Sequence, residues 1–222
     1  MKQCLICKLL ALGVASALFV STGSYAQDPK PFKAGEPLGT INEAGVATPL
    51  SANVKVYGSF RFSESCTFDP TRNLILAMNA GIDQALTQND GYVSLIHPDG
   101  SVHTAKWIGA TRDGLTLNHP RGSAISNGVL YTVDEGVLRS FDLVSGQPLN
   151  AFEVTEGTFL NGIGVTADGT AYISNTRAPE RIYKVSPDGV TSVFVEGAHL
   201  AAPNGVAIDN DGNIVVVNIG DN

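Results

Sequence analysis

From residue 52 onward the chain alternates short apolar and polar positions in runs of five or six, each closed by a Gly, Asn, Asp or Pro cluster. A period of two bounded by turn residues predicts half-buried β-strands, and no stretch after residue 26 carries a helical period. Residues 158–200 show the plan most plainly: strands over Gly162–Thr166, Thr170–Ser174, Arg181–Val185 and Val190–Glu196, joined through Asp168-Gly169, a loop ending near Pro179, and Ser186-Pro187-Asp188-Gly189. Asp-Gly and Asn-Gly pairs supply the positive φ that tight hairpins need.

The pattern repeats. Leu160-Asn161-Gly162-Ile163-Gly164-Val165 returns 43 residues later as Pro203-Asn204-Gly205-Val206-Ala207-Ile208, and Pro120-Arg121-Gly122-Ser123-Ala124-Ile125 and Glu64-Ser65-Cys66-Thr67-Phe68-Asp69 are earlier copies. Four antiparallel strands per roughly 43 residues describe a propeller blade, whose twisted sheet buries its faces only against neighbouring blades. The expected fold is therefore all-β, a β-propeller. Its units run about Tyr57–Gly114, Leu115–Gly157, Thr158–Leu200, and an incomplete fourth with two inner strands: about three and a half blades, so the chain reads as a fragment of a longer propeller. Ala52–Gly58 reads as an outer strand of the kind that closes a last blade onto the first. Because the chain enters each blade at its innermost strand, Glu64, Arg121, Asn161 and Asn204 are expected at equivalent positions on the channel rim. Asn79, Asp134, Asn175 and Asn218 should end the second strands on the same face, overhung by the loop Asn79–Asp90.

The first 26 residues break the pattern. Two lysines precede an apolar stretch, Leu9–Val20, followed by Ser24-Tyr25-Ala26, which is the form of a secretory signal peptide cleaved after Ala26. Residues 27–51 then form an N-terminal extension and 52–222 the partial propeller, in a protein secreted or periplasmic and free of the membrane once the signal is removed. Cys4 and Cys7 leave with the signal, so only Cys66 remains and no internal disulfide is expected; on an inner strand beside Phe68 it reads as a small core residue.

Of 222 residues, 14 are basic and 21 acidic, a formal charge of −7, and with Lys2 and Lys8 in the signal the remainder is more acidic still. Such a body repels phosphate backbones and excludes nucleic acid as a partner. Serine hydrolase, phosphate-loop and dinucleotide fingerprints are absent. His97, His103, His119 and His199 lack metal-ligand spacing and read as structural or exposed.

At these motifs the sequence resembles the senescence marker protein/gluconolactonase family of regucalcin-like lactonases. Glu64-Ser65-Cys66-Thr67-Phe68-Asp69-Pro70 is similar to its first-blade motif, although Ser65-Cys66 replaces Gly-Pro and Phe68 replaces Trp; Pro203-Asn204-Gly205-Val206-Ala207-Ile208 is similar to its Asn-Gly motif. The resemblance implies a six-bladed propeller with a divalent metal, most simply calcium, held by Glu64 and Asn204, with Asn161 a further ligand or substrate contact. It also implies a small-molecule substrate, a sugar lactone or related ester. Arg121, Asn118 and Asn175 are candidate substrate contacts, Arg121 equally an inter-blade ion-pair partner, and no catalytic base is named. The same repeat resembles that of NHL-type scaffold propellers, which leaves a non-catalytic binding module as the alternative.

Overall fold

The computed structural model describes residues 60–81, 89–109 and 117–220, with short pieces between 36 and 56. Residues 1–26, read as a signal peptide, and residues 82–88 of the Asn79–Asp90 loop lie outside the described residues.

Near the N-terminus, β1 (Glu36–Pro37) pairs with β4 (Lys55–Val56), and β2 (Gly39–Ile41) with β3 (Ala47–Pro49). Of the strand read over Ala52–Gly58 the described part is β4, and it pairs with β1 of the extension. The body is a series of antiparallel meanders. The first is β5 (Ser63–Asp69), β6 (Leu74–Asn79), β7 (Tyr92–Ile96) and β8 (Val102–Gly109). The second is β9 (Pro120–Ser126), β10 (Val129–Asp134), β11 (Val137–Asp142) and β12 (Pro148–Glu153). The third is β13 (Leu160–Val165), β14 (Ala171–Asn175), β15 (Arg181–Val185) and β16 (Thr191–Glu196). Only β17 (Pro203–Ile208) and β18 (Ile214–Asn218) follow. These are three full blades and the inner half of a fourth, with third-blade boundaries within two residues of those read from the alternation.

The core lies between blades. Leu74, Leu76, Met78, Val93, Leu95 and Ile108 of the first sheet meet Leu130 and Phe141 of the second. Across the next interface Val133 and Leu138 meet Ile163, Ile173, Tyr183 and Val185. A sheet with period-two alternation presents apolar side chains on both faces only when both are covered, and this stacking covers them. At β5 the first sheet's other face is open: Cys66 is exposed and Phe68 is 51% exposed. The core position read for Cys66 is therefore corrected. Alternation shows which residues share a face of β5, and Cys66 and Phe68 share the one turned away from the second blade.

Adjacent innermost strands, β5 with β9, β9 with β13 and β13 with β17, lie against one another. Each carries a β-bulge at the same place. The register slips between Ser63 and Ser65 on β5, across Arg121-Gly122 on β9, across Asn161-Gly162 on β13, and across Asn204-Gly205 on β17. The Asn161-Gly162 and Asn204-Gly205 pairs are therefore not turns. Gly122 and Gly162 are required by close approach: a Cβ on Gly122 would stand 2.1 Å from the Asn161 carbonyl oxygen, and one on Gly162 2.1 Å from that of Asn204. Bulges re-aim side chains next to sites of function, and here they place Glu64, Arg121, Asn161 and Asn204 at one level of successive inner strands.

Candidate functional site

In each of the three full blades the end of the second strand ties down the segment that leads into its own blade. Asn79 Oδ1 accepts the Arg61 N–H at 3.0 Å; Asp134 Oδ1 accepts those of Asn118 and His119 at 2.9 and 2.5 Å; Asn175 Oδ1 accepts those of Thr158 and Phe159 at 2.9 and 2.7 Å. Asp134 also holds Arg139 Nε at 2.6 Å through its other oxygen. The Asn175 amide nitrogen donates to the Arg177 and Pro179 carbonyls, and the side chain is fully buried. Asn175, read as a substrate contact, is therefore a structural clamp whose polar atoms are all engaged. Asn118 is half-buried, and its side-chain oxygen accepts the Asn89 N–H at 2.9 Å, so it braces the start of the first blade's third strand.

These clamps hold the rim of a cavity of about 420 Å³. Glu64 and Arg121, from the bulges of β5 and β9, both line it. Asn161 and Asn204, at the following bulges, are half-buried and are not part of its lining. The structure thus brings two of the six sequence candidates together in one cavity. It adds His119, from the segment entering the second blade, and three residues that sequence reasoning passed over: Phe159 from the segment entering the third blade, Glu135 from the β10–β11 turn, and Arg177 from the β14–β15 loop. Two of the lining residues, Phe62 at φ 48° and Glu135 at φ 58°, hold left-handed backbone that non-glycine residues adopt rarely, and such outliers gather at sites of function.

Arg121 dominates the electrostatics. It is 7% exposed, its Nη1 donates to the Leu160 carbonyl at 3.3 Å, and its Nε has no hydrogen-bond partner among the described residues. Burial pushes its pKa down, opposed by the charges of Glu64 and Glu135. Its guanidinium carbon lies 4.2 Å from the Phe159 ring centre, as does that of the exposed Arg177. The histidine reading is corrected in one respect: His119 is buried, packs its ring 6.0 Å from that of Phe62, and lines the cavity.

Burial, with the Arg121 charge beside it, holds His119 below the ordinary histidine pKa, while Asp90 and Asp134 oppose the shift. The unfolded chain takes up this proton near about pH 6.5 and the folded protein only at lower pH. The stability linked to neutral His119 is thus complete above that range and is lost as pH falls through it toward the folded value. Melting temperature is expected to fall between pH 7 and pH 5, and His119→Gln to reduce that slope; an unchanged slope in the variant would show that His119 titrates normally.

No family model matches the chain, and no curated protein matches it. Solved structures do. Virginiamycin B lyase from Staphylococcus aureus aligns with a TM-score of 0.51 at 16% identity, over 81% of this chain and 55% of that one. The calcium-binding protein regucalcin from Agrobacterium tumefaciens aligns at 0.50 and 15%, over 71% and 54%; the WD40 β-propeller domain of Doa1 aligns at 0.50 and 16%, over 73% and 51%. The fold is a β-propeller. At these identities the likeness shows the architecture alone, and the chain spans about half the length of the structures it matches.

The calcium expected from the sequence meets a poor donor set. Glu64 supplies one carboxylate, Asn161 and Asn204 two amide oxygens, and a buried guanidinium acts electrostatically on the same Glu64. Among the described residues no group of three or more His, Cys, Asp or Glu side chains is arranged to hold an ion. Calcium takes six to eight oxygens, so the described residues do not by themselves fit it.

Proposed function

We propose that the rim cavity is the small-molecule site of a secreted or periplasmic hydrolase that opens a sugar lactone or related cyclic ester. The observation that carries this reading is the convergence of Glu64 and Arg121, from two equivalent bulges, on one cavity. Glu64 is exposed at its wall, so its carboxylate is free to take a proton from water as that water attacks the ester carbonyl. The ring C–O bond then breaks, the proton passes from Glu64 to the departing alkoxide, and the hydroxy-acid formed ionises to its carboxylate with release of one proton to solvent. The Arg121 and Arg177 guanidinium N–H groups provide positive charge toward the oxygen on which negative charge develops. Phe62 and Phe159 supply the apolar wall against which a ring packs. Calcium enters the proposal only with an acid from outside the described residues, and no step is assigned to it.

The test is turnover of a panel of aldonolactones by the purified chain, followed as acid release. Glu64→Gln is expected to lower kcat/KM by at least about a hundredfold with an unchanged melting temperature, since the side chain is exposed. Turnover that survives this substitution would remove Glu64 from the chemistry. A chain that binds but turns over no lactone would favour the scaffold reading.

A further inference from the structure

Arg121 presents an unmet electrostatic demand. A guanidinium at 7% exposure calls for a compensating charge, because an unpaired ion is penalised when it is taken out of water. Among the described residues no carboxylate comes within ion-pair distance of it, and its Nε is without a hydrogen-bond partner. Its neighbours point the same way. The Phe159 ring, part of the cavity lining, lies 4.2 Å from the guanidinium carbon of Arg121 and at the same distance from that of Arg177, which sets two cations about one aromatic side chain. Structural arginines in this chain are built differently: Arg139 pairs with Asp134, Arg72 with Asp69, and Arg181 with both Glu156 and Glu196. Among the described residues Arg121 and Arg177 lack such partners, and both line the cavity.

We propose that Arg121 and Arg177 form an anion subsite that binds the carboxylate of a small hydroxy-acid. Arg121 and Arg177 line the cavity together with Glu64 and Glu135. Glu64 is exposed and Glu135 half-buried, so water screens both glutamates, whereas Arg121 is out of water and acts on an anion at short range. The planar fork of a guanidinium also matches the two oxygens of a carboxylate. This inference rests on the small-molecule reading of the cavity and adds the group that the ligand must carry, either as a substituent or as the acid that ring opening leaves behind.

The experiment is calorimetric titration of the full chain with sodium gluconate at fixed ionic strength, beside its neutral counterpart glucitol and inorganic phosphate. Gluconate is expected to bind at least about tenfold more tightly than either. Arg177→Gln, on an exposed loop, is expected to weaken it about tenfold, and Arg121→Met to abolish it. Because Arg121 is buried and its variant is at risk of misfolding, the Arg177 result is decisive on its own. Equal affinity for glucitol, tighter phosphate binding, no gluconate binding, or an unchanged affinity in Arg177→Gln would each overturn the subsite. Lactone turnover that continues without gluconate binding removes only the subsite; gluconate binding without Glu64-dependent turnover removes only the hydrolase.

Discussion

Replacing Gly162 with alanine is expected to leave little folded protein at 37 °C. The new methyl carbon would lie 2.1 Å from the Asn204 carbonyl oxygen, 2.7 Å from the Val206 nitrogen and 2.8 Å from the Gly205 Cα. All three are backbone atoms of the next innermost strand, so no rotamer change relieves the collision and the two blades must separate. Overpacking of ordinary cores costs about 1–3 kcal/mol, and a rigid backbone contact belongs at or above the upper end, about 4 kcal/mol, a large share of a domain's total stability. Gly128→Ala is the control. Nothing lies within 4 Å of that Cβ, and only the φ of 74° in the β9–β10 turn opposes the substitution, at roughly 1–2 kcal/mol. Urea unfolding of both variants separates close packing at the rim from turn conformation; equal losses would show that the blades are not in contact at Gly162.

Asp134→Ala is the second large loss. Its carboxylate is buried and answers two backbone N–H groups on one oxygen and Arg139 on the other. Removing it strands both amides and a guanidinium that is 19% exposed, at about 3 kcal/mol after allowing for solvent at Arg139. Asp134→Asn keeps an acceptor for the amides and loses only the ion pair, so it is expected to cost about half as much. The stranded amides belong to Asn118 and His119, so the alanine variant also unseats His119 from the cavity wall. A denaturant midpoint that drops equally for both substitutions would assign the stability to Arg139 rather than to the amides.

The blades were legible because each unit repeats the same turn chemistry and alternation at a fixed spacing, and strands of that kind bury two faces only by stacking. The level of the rim was legible as well: Glu64, Arg121, Asn161 and Asn204 do fall on equivalent bulges. What the side chains do there was less so. Asn175 ends a second strand just as a rim ligand would, yet its amide is engaged on both sides by its own blade. Residue type and position are the same in both cases, and only the path of the preceding loop separates them. Arg177 and Phe159 escaped notice because they belong to no repeated motif. Their signal was position: Arg177 follows a second strand by two residues and Glu135 follows another by one, in loops that the blade geometry already assigned to the rim face. Cys66 was misplaced for a related reason, since alternation sorts residues into two faces of a sheet and does not say which face meets a neighbour.

The central claim, that Glu64 and the Arg121–Arg177 pair serve one ligand in one cavity, is tested most directly by steady-state lactone hydrolysis in the presence of gluconate. The account predicts competitive inhibition, relieved by raising the lactone concentration and weakened about tenfold in Arg177→Gln, with turnover itself dependent on Glu64. Inhibition that added lactone does not relieve, or an absence of lactone turnover by the intact chain, would contradict it.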